Sequence, residues 1–395
     1  MAATMIPAKK SFLQPSLETL AEKLSLCEPI KTRPEEHVYQ PLGQPKQCVI
    51  DGEIWPPIFK AANVRSSKTL QVKDTDIFVC TYPKCGTTWV QHICSQLLNS
   101  QYGGEGEVSE LSFTSPMIEK MGAEYCDSLT HPRLLKTHFS FTNTPVSKNG
   151  KYIFVARNPK DCLTSYYFHN RNFKIYDWAQ GDFDVFFELF VSGQLAFGDY
   201  YDHLLGWLPH INDENVLFLK YEDMFDDLET AVYKIGQFLG GNAKNLVENQ
   251  EILTKIVEDS KIDSMKKNQE RYFPAQHLTS DFIRRGGSRD WTNYMSREQS
   301  DRMDAIFRTR MAGTEAADWW KLEQAWDMED VLSMPDIVIT SDDDDFDCAE
   351  EMCSVSRRVS FLLSPDRVPF MPERRNSIDS IASSGYGSVW SMAIN

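Results

Sequence analysis

At 395 residues with 42% hydrophobic side chains, the chain is long enough to bury a large core and has the composition of a globular protein. Its formal net charge of -16 argues against a general nucleic-acid binder, although eleven of the acids lie between Asp327 and Glu351, and the rest carries only -5. Nine cysteines without one C-x-x-C pair argue against a disulfide framework or a Cys-based zinc site. That usage predicts a reducing, cytoplasmic compartment. No apolar run reaches membrane-spanning length, so no membrane or nucleic-acid partner is expected.

Residues 1–45 read as an N-terminal extension, Pro-rich and polar, with one weakly periodic patch at Leu17–Leu26. Trp55-Pro56-Pro57-Ile58-Phe59 predicts a folded lip, and Thr69–Val72 a short strand. Ile77-Phe78-Val79-Cys80 has the density of a strand buried on both faces. Thr81-Tyr82-Pro83-Lys84-Cys85-Gly86-Thr87-Thr88 follows, and Trp89, Val90, Ile93 and Leu97 then recur at helical spacing. A strand, a Gly turn and a helix N-terminus make an anion site, because the first helical N–H groups lack intrahelical partners. The Lys precedes the Gly, unlike a Walker A loop, and no acid stands by to hold magnesium, so phosphate binding without metal is expected. The same residues also suit a plain strand-to-helix turn.

Leu134-Leu135-Lys136-Thr137-His138 is a second strand ending in a Lys and a His, the His a candidate base or a structural hydrogen-bonding residue. Lys151–Arg157 is a third strand, after which Asn158 and Pro159 suit an N-cap and first helical position. Arg157 stands at the strand end, and Ser165 lies about two turns into the helix, where a surface ion pair and a surface hydroxyl would look the same. Asp182–Trp207 reads as one aromatic-rich helical stretch. Val216–Asp223 contains a fourth strand with a polar exit at Tyr221, and Asp226-Asp227 caps a helix ended by Gly240-Gly241. Helices are expected over Leu246–Val257 and Ile262–Lys267. Arg284-Arg285-Gly286-Gly287-Ser288-Arg289 is a basic Gly loop, and Ser296 with Gln299 forms a capping box for a helix to Met311. Buried strands alternating with helices predict an α/β fold, a single domain around a mainly parallel sheet, with ligands beyond the carboxyl ends of the strands. Lys84, His138, Arg157 and Tyr221 all fall at such ends.

After about residue 326 the chain turns acidic and then Ser/Arg-rich, the pattern of a disordered tail. Arg357-Arg358-Val359-Ser360-Phe361 and Arg374-Arg375-Asn376-Ser377-Ile378 look like basophilic kinase sites, making such a kinase a candidate partner at Ser360 and Ser377.

Taken together, these motifs resemble the cytosolic sulfotransferase family. Residues Thr81 to Trp89 are similar to its 5′-phosphosulfate loop, with Cys85 where Ser is usual. Tyr152–Tyr167 resembles its 3′-phosphate strand and helix. Lys136-Thr137-His138, Tyr221–Met224, and Arg284-Arg285-Gly286 with Asp290-Trp291 match further family segments in order, over residues 45 to 320. The resemblance implies a sulfotransferase domain over 46–325 and the donor 3′-phosphoadenosine 5′-phosphosulfate, with no metal. It implies that His138 is the base, and that Lys84, Lys136 and Ser165 act in transfer. It assigns Lys84, Cys85, Gly86, Thr87 and Thr88 to the 5′-phosphosulfate, and Arg157, Ser165, Arg284, Arg285 and Gly286 to the 3′-phosphate. Trp89, Tyr221 and Ser260 are assigned to the adenine.

The implied acceptor is a small apolar hydroxyl or amine compound, walled by loops around Trp55, Met121–Tyr125 and Phe168–Trp178. Three departures stand out: Arg289 in place of a Gly, Ile262 in place of an aromatic, and Thr292, Ser296-Arg297 and Asp301 in place of a dimerisation segment, which leaves a dimer in doubt. A nucleotide-binding signalling protein with a phosphorylatable tail is the alternative reading.

Overall fold

The computed structural model describes residues 36–98, 111–327 and 330. The Leu17–Leu26 patch and the tail bearing Ser360 and Ser377 lie outside the described residues. β1 (Glu36–Tyr39), β2 (Gln47–Ile50) and β3 (Glu53–Trp55) form an antiparallel meander. Helix α1 (Ala61–Lys68) follows. The central sheet is built from β4 (Ile77–Thr81), β5 (Leu134–Thr137), β6 (Lys151–Ala156) and β7 (Val216–Lys220), all parallel, in the order β5-β4-β6-β7.

Every residue of β4 is buried, as a parallel strand covered on both faces requires. Alternation sorts its side chains: Phe78 and Cys80 enter one core, with Phe154, Tyr166 and Trp207, and Ile77 and Val79 enter the other, with Ile93, Val232 and Ile235. From β4 the chain passes to β5 on one side, and β6 then opens the other side toward β7. Winding therefore reverses between neighbours β4 and β6, which is where an open α/β sheet leaves a crevice beyond its strand ends. Their register, Thr81 opposite Val155, brings both ends level.

Two helices start at that crevice: α2 (Thr87–Leu97) after β4, and α3 (Pro159–Asn172) after β6. Asn158 caps α3 by accepting from the Asp161 N–H, with Pro159 at the first helical position. Further helices are α4 (Phe183–Val191), α5 (Tyr200–Trp207), α6 (Tyr221–Asp226), α7 (Leu228–Leu239), α8 (Gly241–Glu248), α9 (Gln250–Ser260), α10 (Ile262–Lys267), α11 (Arg297–Met311) and α12 (Lys321–Gln324). The Ser296–Gln299 capping box forms at the start of α11.

Some expectations need correcting. Thr69–Val72 is no strand: Thr69 ends α1, and the Gln71 carbonyl accepts from buried Arg133 instead of a ladder partner. The lip around Trp55 includes part of the antiparallel meander. Asp182–Trp207 is two helices, because Gly193 and Gly198 take positive φ and Asp199 caps a new start. Leu246–Val257 is likewise split at Asn249, whose side chain caps α9.

Candidate active site

The loop after β4 turns sharply. Lys84 has φ +69° and Gly86 φ +101°, and α2 begins immediately, with no side chain capping its N-terminus. Its first N–H groups therefore point out of the sheet edge, a geometry suited to an anion. A Cβ on Gly86 would lie 3.0 Å from the Tyr221 ring, so the position has neither room nor a conformation for a side chain.

Arg157, at the end of β6, ties this loop to a second one. Its guanidinium donates to the Lys84 carbonyl at 3.1 Å and the Gly287 carbonyl at 2.9 Å, and lies 4.0 Å over the Tyr221 ring. Its Nε is buried without a partner, and so is the Ser288 hydroxyl. Arg284 and Arg285 both pair with Asp290, which fixes the Gly286–Gly287 turn against Ile262 and Phe225. Ile262 fills the space beside Gly286, so this departure from the family is a packing contact at the cavity wall.

His138 follows β5. Its Nδ1 lies 2.8 Å from the Thr81 carbonyl, so an Nδ1–H donor leaves the lone pair on Nε2. Thr81 Oγ1 lies 3.2 Å from the same nitrogen and 2.6 Å from Thr87 Oγ1, linking the base candidate to the start of α2. The His138 N–H donates to fully buried Glu119 at 2.7 Å. Neither Thr81 nor Glu119 was among the expected site residues, because their signal is spatial. Only the strand-end position of Thr81 offered a hint in one dimension.

These elements enclose one cavity of about 650 Å³. Lys84, Gly86, Thr87, Thr88, Trp89, Lys136, His138, Arg157, Ser165, Tyr221, Arg284, Arg285 and Gly286 all line it. Two expected residues do not. The Cys85 thiol is buried 3.8 Å from that of Cys162, and the Cys85 N–H is spent on the Tyr82 carbonyl. Ser260 is wholly buried, its hydroxyl accepting from Gln96 and its carbonyl from the Trp89 indole at 2.8 Å. The apolar end is walled by Ile58, Phe59, Met117, Phe173, Phe273 and Phe282. Met121–Tyr125 lie outside it, and Met117 and Lys120, at the N-cap and within the short helix Ile118–Met121, line it instead.

Seven Lys and Arg side chains line the cavity against two Asp, in a chain whose net charge is strongly negative. Burial and the neighbouring Arg157 and Arg284 push Lys84 down to about 8; burial and Lys120 do the same to Lys136. Burial and the Lys136 charge hold His138 neutral, down to about 3. Burial raises Glu119 to about 7.

A family model described as a sulfotransferase domain matches residues 74–315. The chain belongs to the sulfotransferase family. It is 33% identical to sulfotransferase 1C2 of Homo sapiens over 62% of this chain and 86% of that one. It is 34% identical to sulfotransferase 1B1 of Canis lupus familiaris over 66% and 92%. Among solved structures, mouse sulfotransferase SULT7A1 complexed with PAP aligns with a TM-score of 0.58 at 26% identity, covering 73% of this chain and 100% of that one. The protein is thus a sulfotransferase, and its parallel sheet flanked by helices is the sulfotransferase fold. Among the described residues no helix is long and apolar enough to cross a membrane, and no acid, His or Cys cluster is built to hold a metal.

Proposed function

We propose that this sulfotransferase moves a sulfuryl group from 3′-phosphoadenosine 5′-phosphosulfate to a hydroxyl or amine of a small apolar acceptor. The S–O bond to the donor's 5′-phosphate breaks as the acceptor oxygen or nitrogen bonds to sulfur in line, and the acceptor proton goes to His138 Nε2. The observation that carries the reading is the Arg157 bridge: one buried guanidinium at the cavity joins the Lys84 loop to the Gly287 loop.

The 5′ end would rest on Gly86, Thr87 and Thr88, and the 3′-phosphate on Arg157, Ser165, Arg284, Arg285 and Gly286. Each charge-assisted bond contributes about 1.5–3 kcal/mol. Trp89 and Tyr221, with ring centroids 5.4 Å apart, form the notch for the adenine. Lys84 would neutralise charge on the leaving oxygen, worth about 3 kcal/mol, and Lys136 would hold the transferring group. The donor's negative charge offsets the two ammonium groups beside His138 and so raises its basicity.

The test is transfer from a radiolabelled donor to a panel of phenols and alcohols. His138→Ala is expected to lower turnover by about 10²–10⁴ while leaving donor affinity intact. Unchanged turnover in that variant overturns the assignment. Phosphorylation at Ser360 or Ser377 belongs to the same proposal as a modulation that chemistry does not require. A chain ending at Pro335 should then keep its activity.

A further inference from the structure

Helix α3 carries Ser165 and His169 four residues apart, hence along one face, Phe173 stands at its C-cap, and all three line the cavity. Ser165 sits at the end assigned above to the donor. His169 lies one helical turn, about 6 Å, further on, among aromatic rings: the centroids of Phe173, Tyr176 and Tyr166 stand 4.0, 5.8 and 5.9 Å away.

A polar ring in such surroundings needs partners, and His169 has none. Its Nδ1 is covered and unpartnered, while Nε2 bonds to no group of the protein and is not covered, which leaves it the ring's one open polar atom. Burial and the charges of Lys84 and Lys136 hold the imidazole neutral, so it carries a single proton. A covered N–H without an acceptor is rarer and costlier than a covered lone pair without a donor, and this places the proton on Nε2. The open atom is then a donor. Nearby ammonium groups also make this stretch unfavourable for a cationic ligand.

Resting on the acceptor reading above, we propose that His169 is a specificity residue. Its Nε2–H donates to an oxygen on the acceptor, one helical turn beyond the donor subsite. The preferred acceptor is therefore an apolar hydroxyl compound carrying a second oxygen, a carbonyl, ether or hydroxyl, and no ammonium group.

The test uses the full chain loaded with 3′-phosphoadenosine 5′-phosphate and three phenols of matched shape: 4-butylphenol, 4-(2-oxobutyl)phenol and 4-(3-oxobutyl)phenol. Calorimetric affinities are measured for each, and turnover with the complete donor is followed separately. At least one ketone should bind about tenfold more tightly than the alkyl phenol, the size of one well-made hydrogen bond to a buried group. His169→Phe should bring that ratio to about one with donor affinity unchanged, and His169→Gln, which keeps an N–H donor, should restore part of it. Equal binding of all three phenols by the unsubstituted protein, binding of none, or a ratio that survives His169→Phe overturns the proposal. Preferential binding without any turnover supports it and overturns the transfer reading instead.

Discussion

Gly86 shows how little freedom the loop after β4 has. With φ +101° and the Tyr221 ring 3.0 Å from a would-be Cβ, Gly86→Ala must strain the backbone and push the ring. The expected cost is about 1–3 kcal/mol in thermal unfolding, together with weaker binding of 3′-phosphoadenosine 5′-phosphate. Lys84 and Lys136 make a second prediction. Both are cationic below about 8 in the free protein, so raising the pH through that value removes charge the anionic donor needs. Affinity should fall by about a hundredfold between pH 7 and 9, about tenfold for each lysine that loses its proton. Because the bound anion raises both lysines, binding near pH 8.5 should take up protons, which calorimetry in buffers of different ionisation enthalpy would register.

Among the elements, the segment around α12 has a role that only the structure reveals. Arg289 is the departure from the family loop; it neither points to solvent nor merely replaces a Gly. It takes φ +64° and donates to the carbonyls of Leu322 and Trp326. The Trp291 indole donates to the Glu323 carbonyl, buried Lys160 to that of Gln324, and the Trp320 indole to Glu222. Glu222 in turn accepts from the Asn158 N–H at the head of α3. The α12 strap thus clamps the 284–290 loop and α3 to each other. Arg289→Ala leaves two carbonyls unpaired and should lower stability by about 1.5–3 kcal/mol. It should also weaken donor binding more than it slows turnover at saturating donor.

In the molecule as a whole, burial of ionisable groups sets the response to acid. Burial pushes His92 and His203 down to about 4 and His138 to about 3. Below 6.5 the unfolded chain takes up these protons while the folded one refuses them, so stability is complete above 6.5 and is lost as the pH falls toward the folded values. Glu119 and Glu323, raised by burial to about 7 and 8, act oppositely, but their gain is complete by about 4.5. The melting temperature should therefore fall most steeply below about pH 4.5. His203→Phe, among the rings of Tyr82 and Phe154, should flatten that fall.

The sequence by itself determined the alternation of buried strands and helices, the two Gly-containing turns beside the cavity and the cap at Asn158, because local periodicity, Gly and Pro positions and capping chemistry are properties of neighbouring residues. It also carried Lys84, His138 and Arg157 to strand ends. Only the tertiary structure decided which strands are neighbours, and so that Arg157 bridges two loops, that Thr81 and Glu119 hold His138, and that Cys85 and Ser260 turn into the core. Those outcomes depend on residues 19 to 171 positions apart in the chain competing for the same buried space and the same hydrogen bonds. No one-dimensional pattern encodes that competition.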